Sequence, residues 1–119
     1  MNIVVLHGVL SSAPVTRTLA SGSVVVSLEL STAVEGGTAS VPVAWFDPPG
    51  EVAWAPGTGL TVAGSVRRRF FRSGGITQSR TEVVAAEVVE SGKRRQAQRL
   101  VGRAAARLGG PESGAVRST

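Results

Sequence analysis

The sequence predicts an all-β fold, a small closed barrel of five antiparallel strands, followed by a basic helix. Three observations carry this reading. Apolar residues recur at every second position through most of the first ninety residues, the signature of half-buried strands. Turn signals divide that stretch into five runs: Ser21-Gly22, Gly36-Gly37, Asp47-Pro48-Pro49-Gly50, Pro56-Gly57 and Ser73-Gly74-Gly75. No run leaves room for a long helix between strands, which favours closure into a barrel. From Lys93 onward the apolar period changes from two to about 3.6.

Each element follows from its own pattern. In the first strand Ile3, Val5, His7 and Val9 alternate with Val4, Leu6, Gly8 and Leu10. In the second, Val24, Val26, Leu28 and Leu30 alternate with Val25, Ser27, Glu29 and Ser31. The third sets Val41, Val43 and Trp45 against Pro42, Ala44 and Phe46. Leu60, Val62, Gly64 and Val66 share one face of the fourth, which continues towards Phe71. The fifth runs from about Ile76 to Val89 with Val84, Ala86 and Val88 on one face. Gly8 and Gly64 interrupt strands where a barrel strand bends sharply. The segment DPPGEVAWAPGTG is too rich in proline for more than one helical turn. On a helical wheel Ala97, Leu100, Val101, Ala104, Ala105 and Leu108 gather in one sector, while Arg95, Arg99, Arg103 and Arg107 recur every four residues on the other side. Residues 1–91 therefore form one domain, and residues 92–119 a basic amphipathic segment with a short tail.

Composition excludes many functions. There is no cysteine, hence no disulfide framework, thiolate metal site or cysteine nucleophile. The single histidine, His7, excludes a site built from several imidazoles and reads as structural. No G-x-S-x-G, P-loop, paired-carboxylate or metal-ligand motif is present, so no enzymatic activity and no cofactor are expected. Apolar runs fall well short of the roughly 18 residues needed to span a bilayer. The N-terminus carries no positively charged leader or cleavage motif, which points to the cytoplasm.

Charge is the informative quantity. The chain holds 13 basic and 8 acidic residues, a net +5, and all the basic residues but Lys93 are arginine. Residues 1–66 hold Arg17 alone against four carboxylates, a net −3. Residues 67–119 hold twelve basic groups against four carboxylates, a net +8. Such asymmetry suits a polyanion held on one face, and arginine suits flat, stacking phosphate contacts. The densest cluster is RRRFFRSGGITQSR, residues 67–80, a hairpin carrying Arg67, Arg68, Arg69, Arg72 and Arg80 around Phe70 and Phe71. Guanidinium groups answer phosphates and aromatic faces accept bases, the pairing that single-strand binding requires. The two-residue period puts Arg67, Arg69 and Phe71 on one face and Arg68, Phe70 and Arg72 on the other. Trp45 and Phe46 lie on opposite faces, so one of them enters the core and the other is free to stack; Trp54 is a further stacking candidate.

These pieces, in this order, resemble bacterial single-stranded DNA-binding proteins of the OB-fold type. The matching segments are Asn2 to Leu10, a Pro14-Val15-Thr16-Arg17 turn, Ser21 to Thr32, Val43 to Phe46, Gly57 to Arg69 and Thr81-Glu82-Val83-Val84. The resemblance implies a five-stranded OB-fold barrel, sequence-tolerant binding of single-stranded DNA and a homo-oligomer, tetramer or dimer. It implies roles in replication, repair or recombination and a nucleoid-associated location. It also implies stacking on Phe46 and Phe71. Three departures set this chain apart. Ser40 stands where many members carry tryptophan. The helix before the fourth strand is cut to the loop around Trp54. The acidic, phenylalanine-ended tip is replaced by a basic segment, so tip-mediated recruitment of replication proteins is not expected. The resemblance is thus to a divergent paralogue, and the glycine and arginine content points to an actinobacterial source.

Arg17, the hairpin arginines and Arg95, Arg99 and Arg103 are expected to meet phosphates, and Phe46, Phe70 or Phe71, and Trp54 to meet bases. The helix has two expected arrangements: docked on the barrel, or folding only on DNA. Gly92 and Gly102 favour the second. The rival function is a protein-interaction module, akin to primosomal or recombination accessory factors, with DNA binding secondary.

Overall fold

The computed structural model describes residues 1–108; the expected tail beyond Gly109 lies outside the described residues. Two-residue alternation becomes six strands and one helix: β1 (Val4–Leu10), β2 (Val15–Thr18), β3 (Val24–Val34), β4 (Gly37–Phe46), β5 (Gly59–Ser73), β6 (Ile76–Glu90) and α1 (Arg94–Leu108). The extra strand is the first barrel strand in two pieces. Both β1 and β2 pair with β3, through Leu10↔Leu30 and Val15↔Ser27. The register between these pairs slips by two residues at Ser11–Pro14, where Pro14 offers no backbone donor. The turn expected at Pro14–Arg17 therefore lies earlier, with its bend at Ser11–Ser12, and Val15–Thr18 is strand.

The sheet order is β1-β5-β6-β4-β3-β2, and the β1–β3 pairing closes the barrel. All pairings are antiparallel except β4–β6, which is parallel. The loop after β4 crosses one end of the barrel. The β5–β6 hairpin then returns with β6 running alongside β4 in the same direction, so the uniformly antiparallel barrel read from sequence is corrected at this one seam. Five barrel strands and a C-terminal helix are consistent with an OB-fold.

In β1, β3, β4 and the start of β5 the inward residues are those the alternation selects. In β6 Val83 and Ala85 turn inward in place of the expected Val84 and Ala86, because the register shift opposite Ala63/Gly64 leaves Ala86 as an extra residue and reverses the phase before Val88. Leu10, Val26, Leu28, Leu30, Val43, Trp45, Leu60, Val62 and Val83 fill the centre together with Ala85 and Val88. Full burial of each large side chain contributes roughly 1.5–3 kcal/mol. Trp54, in the crossing loop, lies parallel to Trp45 with ring centroids 6.1 Å apart. Its Nε1 donates to Glu90 Oε1 at 3.0 Å. Trp54, half-buried, thus closes the barrel end with one ring face towards Trp45. A register shift at Ala63/Gly64 bends β5 against β6. A Cβ on Gly64 would stand 2.1 Å from the Val84 carbonyl oxygen, so only glycine fits this approach.

α1 docks on its own barrel. Leu100 and Ala104 are buried against Ala63, with Ile3 and Val89 around them. Only this narrow ridge is covered, while Val101 and Leu108, assigned to the same apolar sector, stay exposed. The arrangement in which the helix folds only on DNA is therefore not the one observed. The linker is held as well: Ser91 N–H donates to the Gly59 carbonyl at 2.9 Å. The Ser91 hydroxyl lies 2.9 Å from both His7 Nδ1 and Thr61 Oγ1. His7 takes the structural part expected of it.

Candidate nucleic-acid interface

The outer face of the barrel carries a groove across β2, β3, β4, β6 and β5. Register places its members. Arg17 pairs with Val25, and Val25 with Phe46, giving one row across three strands. Arg67 pairs with Glu82 in a second row across the hairpin. The Val43↔Val83 pairing, both inward, turns Ala44 and Glu82 to the outer face, one residue to either side of that rung. Val25 is buried although it points away from the core, because it forms the floor of this groove with Ala44.

Two guanidinium groups lie over two phenylalanine rings. Arg67 Cζ is 5.2 Å from the centroid of Phe46, and Arg69 Cζ is 5.3 Å from that of Phe71. Both distances fall within cation–π range. A single carboxylate holds both arginines. Arg67 donates from Nε and Nη2 to Glu82 Oε2 at 2.8 Å. Arg69 Nε stands 3.4 Å from Oε1, too poorly aligned for a hydrogen bond. Glu82 is only 6% exposed, so its charge is compensated by two cations that are themselves open to solvent. Along the same face Arg80 pairs with Glu29, and Glu29 Oε2 also accepts from the Ser40 hydroxyl at 3.3 Å.

Beyond Val66 the hairpin leaves the barrel as a two-stranded arm, turned at Gly74 and Gly75, both with positive φ. Such a two-residue turn is the type whose twist suits a hairpin. The arm divides its cations as the period requires. Arg67, Arg69, Arg80 and Phe71 face the groove; Arg68, Phe70 and Arg72 face the other way. Phe70 is 67% exposed, and Arg72 Nη2 donates to the Gly75 carbonyl at 2.9 Å.

The structure therefore brings Arg17, Phe46, Arg67, Arg69, Phe71 and Arg80 together, and sets Arg68, Phe70 and Arg72 behind them. Arg95, Arg99 and Arg103 are on α1, with Arg103 paired to Glu87. Trp54 is at the barrel end. Glu82 and Glu29 escaped the sequence reading. Glu82 was within reach of it: counting back from the Gly74-Gly75 turn places position 82 opposite position 67. Glu29 meets Arg80 across β4, through the parallel β4–β6 seam, which no local pattern encodes. Among the described residues no cluster of three or more His, Cys, Asp or Glu could hold a metal, and no helix is long and apolar enough to cross a membrane.

No family model matches the sequence, and no curated protein sequence matches it. Among solved structures the chain is similar to a crystal structure of a deletion mutant of the single-stranded DNA binding protein from Thermus aquaticus, with a TM-score of 0.63 and 28% identity. The match covers 76% of this chain and 40% of that one, so the chain spans well under half of that protein.

Proposed function

We propose that this protein binds single-stranded DNA with little sequence preference, in the outer groove, without a catalytic step. The observation that carries the reading is the pair of ring–guanidinium platforms, Phe46 with Arg67 and Phe71 with Arg69, set on one face and held by one buried carboxylate. Every base has a face that stacks on such a platform, and every nucleotide brings a phosphate for Arg17, Arg80 or a platform arginine. The similarity to a single-stranded DNA binding protein supports the same reading. Phe70 with Arg68 and Arg72 offers a smaller site on the back of the arm. A homo-oligomer and a place in replication, repair or recombination at the nucleoid belong to this proposal.

The test is a titration with oligo(dT), duplex DNA and RNA of equal length at two salt concentrations. Oligo(dT) is expected to bind tightest. Raising salt from about 50 to 200 mM should weaken its binding by about tenfold or more, as displacement of counterions from several phosphates requires. A flat salt response, or equal affinity for duplex, would overturn the reading.

A further inference from the structure

The groove leaves one strongly charged surface unused. α1 contains five arginines and no acidic residue, and Lys93 precedes it. Solvated helix faces ordinarily mix both signs, because like charges four residues apart repel by a few tenths of a kcal/mol. Among the described residues only Arg103 of these five meets a carboxylate, Glu87. An isolated basic amphipathic helix would also suit an anionic membrane, inserting its apolar side. Here Leu100 and Ala104 of that side are already buried in the barrel, which leaves Val101 and Leu108 as its only large apolar side chains towards solvent, beside the arginine edge.

The position of that edge is as informative as its charge. Residues four apart advance by about 40° around a helix, so Arg95, Arg99, Arg103 and Arg107 wind from solvent towards the barrel. The Arg103–Glu87 pair fixes the side they reach, that of β6. The other neighbour of β6 is β4, which carries Phe46. Ala63, under the helix, and Arg67, in the groove, are four residues apart on β5, about 13 Å at strand rise. The Arg103–Arg107 end of the edge, beside Ala63, Gly64 and Glu87, is therefore the end nearer the groove.

We propose that the arginine edge of α1 is a second backbone-binding track for single-stranded nucleic acid, entered only by strands long enough to leave the groove. The proposal rests on the reading of the groove as a single-strand site. Phosphates would meet Arg107, Arg99 and Arg95 in turn, with no aromatic beside them, so this track contributes attraction without base contacts. Arg103 stays with Glu87 and fixes the helix.

The experiment compares the full chain with an Arg95→Gln/Arg99→Gln/Arg107→Gln variant, which keeps the Arg103–Glu87 pair and the buried ridge. Two probes are used, oligo(dT) of about 6 and about 20 nucleotides, either side of the middle of the range one OB barrel occupies. Equal melting temperatures establish that both fold. On the long probe the variant's log–log salt slope should be shallower by about 2, the value for three phosphates on a single strand. On the short probe the two proteins should bind alike. Equal slopes on the long probe would overturn the track, as would an equal loss on both probes, which marks a general charge effect. Loss of binding to phosphatidylserine vesicles with unchanged slopes would assign the edge to a lipid surface and overturn it too. Failure of the unmodified protein to bind either probe would instead overturn the groove reading.

Discussion

The arginines of the groove and those of α1 carry the same charge in different company. Arg67 and Arg69 each lie over a ring and share the buried Glu82, and Arg80 reaches Glu29. On α1 only Arg103 has a carboxylate partner among the described residues. An arginine side chain carries about 2 kcal/mol of rotamer entropy, part of which the groove arginines have already given up on folding. Fixed cations cost attraction, since a carboxylate offsets each of them, and gain geometry. Free cations do the reverse. One small chain thus separates placing a base from attracting a backbone.

That contrast can be broken at its aromatic half first. Phe71→Ala should weaken oligo(dT) binding by about 1–3 kcal/mol, measured by fluorescence anisotropy of a labelled strand. Its melting temperature should stay close to that of the parent, because the ring is outside the core cluster. A large fall in melting temperature with unaltered affinity would make Phe71 a packing residue.

The next test removes the carboxylate beneath the platforms. Pure charge counting says Glu82→Gln should raise affinity for an anion. The fixed geometry says otherwise. Loss of charge-assisted hydrogen bonds of about 1.5–3 kcal/mol should lower stability, and freed arginines should bind oligo(dT) several-fold more weakly. Tighter binding would mean that the platforms need no support. The smallest effect sharpens the other side. Glu87→Gln releases Arg103 from an exposed pair worth at most about 1 kcal/mol, so a long strand should bind slightly tighter, by about twofold to threefold. Opposite signs for two substitutions of the same chemistry are the measure of the difference between the regions.

How much of this was legible differs along the chain. The alternation in Val24–Leu30 and Val41–Trp45 named the inward residues correctly, because one face of each strand is buried and a slip of one residue would expose them all. The split of the first strand was not legible: Val15–Thr18 is exposed throughout, so it carries no apolar signal of its own. The parallel β4–β6 seam was hidden because pairing between strands that are not consecutive depends on where the crossing loop lands. Period two correctly placed Arg67, Arg69 and Phe71 together, yet Trp54 could not be placed, since a loop residue has no period. The helix was correct in kind, while its contact ridge proved narrower than its apolar sector, because Ala63 and Gly64 offer only a shallow seat.

The parallel pair of tryptophans has a practical side. Trp45 and Trp54 are the only two in the chain, and there is no tyrosine, so all strong ultraviolet emission arises where the crossing loop closes the barrel. The rings proposed to meet bases are phenylalanines on the opposite face of β4 and on the arm. Emission therefore reports whether the barrel end is intact and is nearly blind to what lies in the groove. Denaturant titrations can be followed at the indoles in the presence of nucleic acid, and an optical signal for binding has to be supplied by the nucleic acid or by a new indole in place of Phe46 or Phe71.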